Sequence, residues 1–262
     1  DCAHQQGSRW RDQRAGSIGD VGSWSFQQSK ILTSGEGGAV ACDDDDLYRC
    51  LFALKQVGFM PDPEKPAEAG QAPALTPALR YGHNYRITEM QCVLLRAGLQ
   101  RLPEQNRRRE RAAERLRKGL EQIDGPLRTA KRDPRVTEQA YYALTLHYDP
   151  GQGQELTKAQ FLRALNAEGV PCNGGYPAVY RSPLLNLYDN TSPVPFRDPE
   201  RIQKYRELRL PNVERAVEHT LVTLPHANLL GDDEYIDQLL EGVEKVSGRL
   251  QDIAEFLEAD GG

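Results

Sequence analysis

The feature that most constrains the fold is the alternation in residues 1–60, where short apolar pieces are set between glycines and then give way to an amphipathic stretch. Residues 21–26 and the run Gly37-Gly38-Ala39-Val40-Ala41-Cys42 read as two strands joined by a loop. The stretch that follows places Leu47, Cys50, Leu51 and Leu54 at helical spacing, so the order strand, loop, strand, helix predicts an α/β domain. The acidic run 43–46 is read as the start of that helix, because carboxylates there cap free backbone N–H groups and meet the positive end of the dipole. A metal site is the weaker reading of the same four acids.

Residues 61–80 carry prolines at 61, 63, 66, 73 and 77 with Ala and Gly between them, and are expected to form an exposed loop. From Thr88 the pattern turns helical through Val93, Leu94, Ala97, Leu99 and Leu102, with Pro103 expected to bend or interrupt the helix before the charged run 104–122. The basic run 107–117 alternates with Glu and Ala and reads as a solvated helix face. Beyond it come a β-rich piece at 141–148, a helix at 157–168 ending at Gly169, an extended piece at 221–224 and a final helix at 232–246. The mixture predicts a second, smaller α+β domain, with residues 1–107 in the first domain and 108–262 in the second.

With 262 residues, 39% hydrophobic and 27% charged, the chain can bury a substantial core. A formal net charge of −5 argues against nucleic acid as a partner, since duplex affinity rests on excess Lys and Arg. No apolar run approaches the roughly 20 residues that span a bilayer, and no membrane partner is expected. The 5 cysteines are odd in number and widely spaced, without a zinc pattern, so no metal is expected and a reducing, cytoplasmic compartment fits best. The glycines at 35, 37 and 38 follow Lys30 rather than precede it, which is not a P-loop, and G-x-G-x-x-G, G-x-S-x-G and H-E-x-x-H are all absent.

The most informative stretch is Ser25-Phe26-Gln27-Gln28-Ser29-Lys30-Ile31-Leu32-Thr33-Ser34-Gly35-Glu36-Gly37-Gly38. Its lysine sits among hydroxyls and glycines on a loop after a strand, surroundings that withdraw water from an amine and suit a Schiff-base nucleophile. On residue types alone an ordinary solvated lysine is the stronger reading. The wider pattern is more specific: Asp1-Cys2-Ala3-His4, Gly19-Asp20-Val21-Gly22, the Lys30 stretch and Gly82-His83-Asn84-Tyr85-Arg86-Ile87-Thr88-Glu89 occur in order, with Leu224-Pro225-His226 later. Together they resemble the DegT/DnrJ/EryC1/StrS aminotransferases, and within that family the scyllo-inosose aminotransferases and 3-amino-5-hydroxybenzoate synthases.

That resemblance implies a pyridoxal-phosphate-dependent transferase of fold type I, aspartate-aminotransferase-like, lacking here the N-terminal part of its large domain and ending in a small α+β domain. It implies that Lys30 holds the cofactor and moves the proton, that Asp1 pairs with the pyridine nitrogen, and that His4 packs by the ring and its phenolic oxygen. Ser25 is implied as a phosphate donor and Asn84 as a residue reaching the phosphate from the partner subunit of a homodimer. Arg86, Tyr180 and His226 are substrate-side candidates. Lysine at position 30, where the family's sugar dehydratases carry histidine, implies amino transfer from glutamine or glutamate to a keto-cyclitol or keto-sugar. A 3-amino-5-hydroxybenzoate synthase-like enzyme and an inactive truncated or regulatory relative are the alternatives.

Overall fold

A computed structural model describes residues 4–78, 80–154, 156–184 and 198–259. In chain order the elements begin with β1 (Arg9–Trp10), β2 (Gln13–Arg14), β3 (Gly22–Ser25), β4 (Gly38–Ala41), α1 (Asp45–Lys55), β5 (Phe59–Pro61), β6 (Leu75–Pro77) and α2 (Glu89–Gln122). Then follow β7 (Leu127–Thr129), β8 (Val136–Glu138), β9 (Ala143–Tyr148), α3 (Lys158–Ala167), α4 (Pro199–Glu207), α5 (Pro211–Arg215), β10 (Leu221–Pro225), α6 (Asp233–Ser247) and α7 (Leu250–Ala259). The chain divides into two compact units, one of residues 1–111 and 132–142, the other of 112–131 and 143–262.

In the first unit β3 and β4 pair antiparallel from Gly22↔Ala41 to Ser25↔Gly38, and the loop between them carries Lys30. Asp44 caps α1 by accepting from the Leu47 N–H at 2.6 Å, so the acidic run serves the helix start. The core of this unit joins Ile31 and Leu32 to Leu95, Leu102 and Ala140, with Phe26 and Ile87 packed against it. The two residues after Lys30 are thus its apolar anchor. Gly98 makes room for them, since a Cβ there would stand 2.7 Å from Leu32 Cδ1.

Three expectations need correction here. Pro103 lies inside a continuous α2 and does not interrupt it: a proline forfeits one intrahelical hydrogen bond, while Leu95 and Leu102 on one side and Ala112, Ala113 and Leu116 on the other are buried. Residues 61–80 are not loop throughout, because their ends pair as the antiparallel ribbon β5–β6, with Met60 opposite Thr76. The basic run 107–117 is not solvated along its whole length, for Arg109 is only 1% exposed.

In the second unit β10, β9 and β7 form an antiparallel sheet in that order. Their inward side chains include Leu127, Leu144, Leu146, Val222 and Leu224, all buried. Thr157 and Gln160 form a reciprocal cap at the start of α3, and Gly169 takes a φ of +81° just past its end. Arg115 donates two hydrogen bonds to Asp237 on α6, at 2.7 and 2.6 Å. The expected final helix is α6, and α7 extends beyond it as an element the residue pattern did not suggest.

Candidate active site

The loop that carries Lys30 is closed by backbone bonds at its base, Phe26 N–H to Gly37 C=O at 2.8 Å and Ser34 N–H to Phe26 C=O at 3.0 Å. The Thr33 hydroxyl adds a bond to the Phe26 carbonyl and accepts from the Gly35 N–H, while Gly35 and Gly37 take φ values of +85° and +132°. The hydroxyls and glycines of this stretch therefore build the bend, and the bend presents the amine. Gln91 reaches from α2 to the Glu36 carbonyl at 2.8 Å and ties the loop to the helix.

Lys30 Nζ stands 2.9 Å from His4 Nε2. Burial first, and then the Lys30 charge, hold the His4 imidazole below its ordinary value of 6.5. At neutral pH the ring is therefore uncharged, and its Nε2 lone pair accepts from the lysine, which places the ring proton on Nδ1. The His4 ring lies flat on Tyr142, centroids 4.2 Å apart and planes 7° from parallel. The same Tyr142 ring has Lys30 Nζ 4.8 Å from its centre, within cation–π range, and its hydroxyl is 3.1 Å from Ser29 Oγ.

A second set of bonds anchors the segment that bears His4. Gln6 Nε2 donates to the Ser25 carbonyl at 3.0 Å, Asn106 Nδ2 donates to the Gln6 carbonyl at 3.0 Å, and Arg109 Nη1 donates to Asn106 Oδ1 at 3.0 Å. Arg109 pairs with no carboxylate among the described residues, and its Nε has no hydrogen-bond partner there. Burial, with help from the Arg108 charge, pulls this guanidinium down to about 10, so it remains protonated at neutral pH.

Of the residues singled out from the sequence, Lys30 and His4 come together, and Ser25 lies at the end of β3 with its hydroxyl accepting weakly from the Gln27 N–H at 3.4 Å. Asp1 lies outside the described residues. Asn84 is exposed on the same unit, bridged through its backbone to Gln56, and its side chain accepts from the Arg86 N–H at 3.4 Å; Arg86 is exposed as well. Tyr180 and His226 belong to the second unit. Tyr180 donates its hydroxyl to Glu214, which also takes the Arg181 guanidinium at 2.5 Å. His226 follows β10 and is half-buried. The sequence reading missed Tyr142, Gln6 and Asn106. For Tyr142 the available signal was the pair Tyr141-Tyr142 opening a strand, where one ring is fully buried and the other is left half-buried.

A cavity of about 940 Å³ also lies in the first unit, lined by Trp24, Phe26, Ala39, Ala41 and Leu99 among others, but not by Lys30, His4 or Tyr142. No group of three or more acidic, His or Cys side chains suited to a metal occurs among the described residues. No helix among them is long and apolar enough to cross a membrane.

Residues 1–241 match the DegT/DnrJ/EryC1/StrS aminotransferase family. The chain belongs to that family. Its similarity to a protein named putative L-glutamine:3-amino-2,3-dideoxy-scyllo-inosose aminotransferase, from Streptomyces kanamyceticus, is 32% identity over 97% of this chain and 59% of the relative. Among solved structures, an aminotransferase from Psychrobacter cryohalolentis superposes with a TM-score of 0.76 at 28% identity, covering 96% of this chain and 62% of the other. A 3-amino-5-hydroxybenzoic acid synthase gives 0.71 at 26% identity, covering 95% and 60%. This DegT-family chain thus has the mixed α/β fold of its aminotransferase neighbours, and it spans about three-fifths of the length of the relatives it matches.

Proposed function

We propose that the full-length natural protein is a pyridoxal-phosphate-dependent aminotransferase that moves an amino group from glutamine, or glutamate, to a keto-cyclitol. The single observation that carries this reading is the Lys30 amine presented on a bonded bend with His4 Nε2 at 2.9 Å. The donor set suits the cofactor: a primary amine, an adjacent neutral imidazole, and the Ser25 hydroxyl at the strand end from which the bend departs. When bound, pyridoxal phosphate supplies an electron sink conjugated to the carbon that carries the amine. This chain's residues supply the rest. Lys30 gives the nucleophile and carries the proton, and His4 Nε2 accepts a hydrogen bond from the Lys30 Nζ and so orients it. Ser25 is the phosphate-side donor, and Asp1 remains the expected partner of the pyridine nitrogen.

In this reading the first unit, residues 1–111 and 132–142, is the cofactor-binding part and the second the small domain, whereas the sequence drew a single division after residue 107. Arg86, Tyr180 and His226 are the substrate-side residues, and Asn84 serves the site of a second subunit in a cytoplasmic homodimer. The relative's printed name, a glutamine-dependent aminotransferase of a dideoxy-scyllo-inosose, favours a cyclitol as acceptor. The neighbouring 3-amino-5-hydroxybenzoic acid synthase supports a carbocyclic product as the second reading. Incubating the full-length protein with glutamine and either a free keto-cyclitol or a nucleotide-linked keto-sugar, and following the amino product, tests the choice. Faster transfer to the cyclitol is expected. Preference for the nucleotide-linked sugar would overturn the cyclitol assignment.

A further inference from the structure

We propose that Tyr142 is a positioning residue for the Lys30–His4 pair, one side chain that fixes both partners through its two faces of chemistry, the ring and the hydroxyl. The inference rests on the reading of Lys30 as the catalytic amine. It goes beyond that reading because it assigns the geometry of the pair to a residue 113 positions further along the chain from Ser29.

The ring acts on His4. At 4.2 Å and 7° the imidazole plane is held parallel to the phenol, and within that plane its Nε2 edge lies toward Lys30. The ring also acts on Lys30, whose Nζ sits 4.8 Å from the ring centre, so the ammonium form rests beside an electron-rich face while it donates to His4. The hydroxyl acts on the residue next to Lys30. Ser29 spends its one O–H on Gln27 Oε1 at 2.7 Å, and Gln27 Oε1 also takes the Ser29 N–H at 2.8 Å. Ser29 Oγ is therefore the acceptor in its 3.1 Å contact with Tyr142, and the phenol is the donor. The chain of bonds Tyr142–Ser29–Gln27 pins the backbone immediately before Lys30, and the Lys30 N–H closes the same turn on the Gln27 carbonyl at 2.9 Å.

Tyr142 is itself held by the core of its unit. Ala140, two residues before it, is fully buried in the cluster that contains Ile31 and Leu32, and its N–H bonds to the Ser8 hydroxyl at 2.8 Å. The same apolar cluster therefore locates the lysine from one side and the tyrosine from the other. A merely structural tyrosine would not need its ring, its hydroxyl and its backbone anchor all directed at one pair of titratable side chains.

The test uses the full-length protein and two readouts. The first is the NMR signal of the His4 ring in cofactor-free protein, assigned by its loss in His4→Gln. Stacking on a phenol displaces these proton resonances, so Tyr142→Leu should return them toward those of an unstacked histidine and Tyr142→Phe should leave them displaced. The second is steady-state kinetics. Tyr142→Leu should lower kcat by about 10- to 100-fold with a much smaller change in donor KM, the scale expected when the catalytic amine loses its alignment. Tyr142→Phe removes the phenol's bond to Ser29, and Ser29→Ala removes that bond together with the one to Gln27 Oε1, so each should lower kcat by about 3- to 10-fold and the double variant no further than Ser29→Ala alone. This cycle holds even if Tyr142→Leu does not fold. Additive losses in the double variant, or an unstacked His4 signal in the unaltered protein, would overturn the assignment. Failure of the catalytic reading is separable: reductive labelling would then fall on another lysine while the His4 signal still reported the stack.

Discussion

Replacing Asn106 by alanine should cost far more than its half-buried position on α2 suggests. The amide bridges two groups, donating to the Gln6 carbonyl and accepting from Arg109, each at 3.0 Å. Arg109 is 1% exposed, has no carboxylate partner among the described residues, and already carries an unbonded Nε. Removing its acceptor among the described residues strands a buried cation, and a hydrogen bond to a charged group is worth about 1.5–3 kcal/mol. The Gln6 carbonyl loses a neutral bond worth about 0.5–1.5 kcal/mol, so Asn106→Ala should lose about 2–4.5 kcal/mol of stability. Urea unfolding followed by tryptophan fluorescence measures this, with Trp10 and Trp24 both reporting from the first unit. Arg109→Met supplies the control. It removes the cation instead of stranding it, an exchange that is often neutral or stabilising when packing is kept. In the Arg109→Met background Asn106→Ala should therefore cost only about 0.5–1.5 kcal/mol, the neutral bond alone. An equal cost in both backgrounds, or a loss below about 0.5 kcal/mol in the first, would refute the reasoning.

His4, held neutral by burial and by the Lys30 charge, takes up its proton less readily folded than unfolded. Its contribution to stability is complete above its ordinary value of 6.5 and is lost as pH falls from there through the lowered folded value. Urea midpoints of the protein and of His4→Gln across this range should converge on acidification, and parallel curves would contradict the assignment. Gly98→Ala would set a methyl 2.7 Å from Leu32 Cδ1, directly under the anchor of the Lys30 bend. A loss of about 1–3 kcal/mol is expected from overpacking, read by the same unfolding assay, and an unchanged midpoint would show that Leu32 yields freely.

What could be read from the sequence was local. The strand, loop, strand, helix order of the first 60 residues follows from short apolar runs and an acidic cap, and Asp44, Thr157 and Gly169 do at helix ends what such residues do. What could not be read depended on burial between distant segments. Arg109 belongs to a run whose composition is that of a solvent face, and only the fold puts it beneath Asn106 and the Gln6 segment. Pro103 stays helical because burial on both sides of it outweighs one missing bond. At the candidate site, the motif order placed Lys30 and His4 in one family pattern, but no periodicity linked either of them to Tyr142. That contact depends on Ala140 entering the Ile31–Leu32 cluster, a tertiary fact with no counterpart in the spacing of residues.

The most direct test of the central proposal is where the cofactor attaches. The full-length protein, loaded with pyridoxal phosphate, is reduced with borohydride, digested and mapped by mass spectrometry. The pyridoxyl mass is expected on the peptide that contains Lys30, with its absorbance band lost in Lys30→Ala. A pyridoxyl group on any other lysine, or a loaded spectrum that persists in Lys30→Ala, would contradict the assignment of Lys30 and the amino-transfer function built on it.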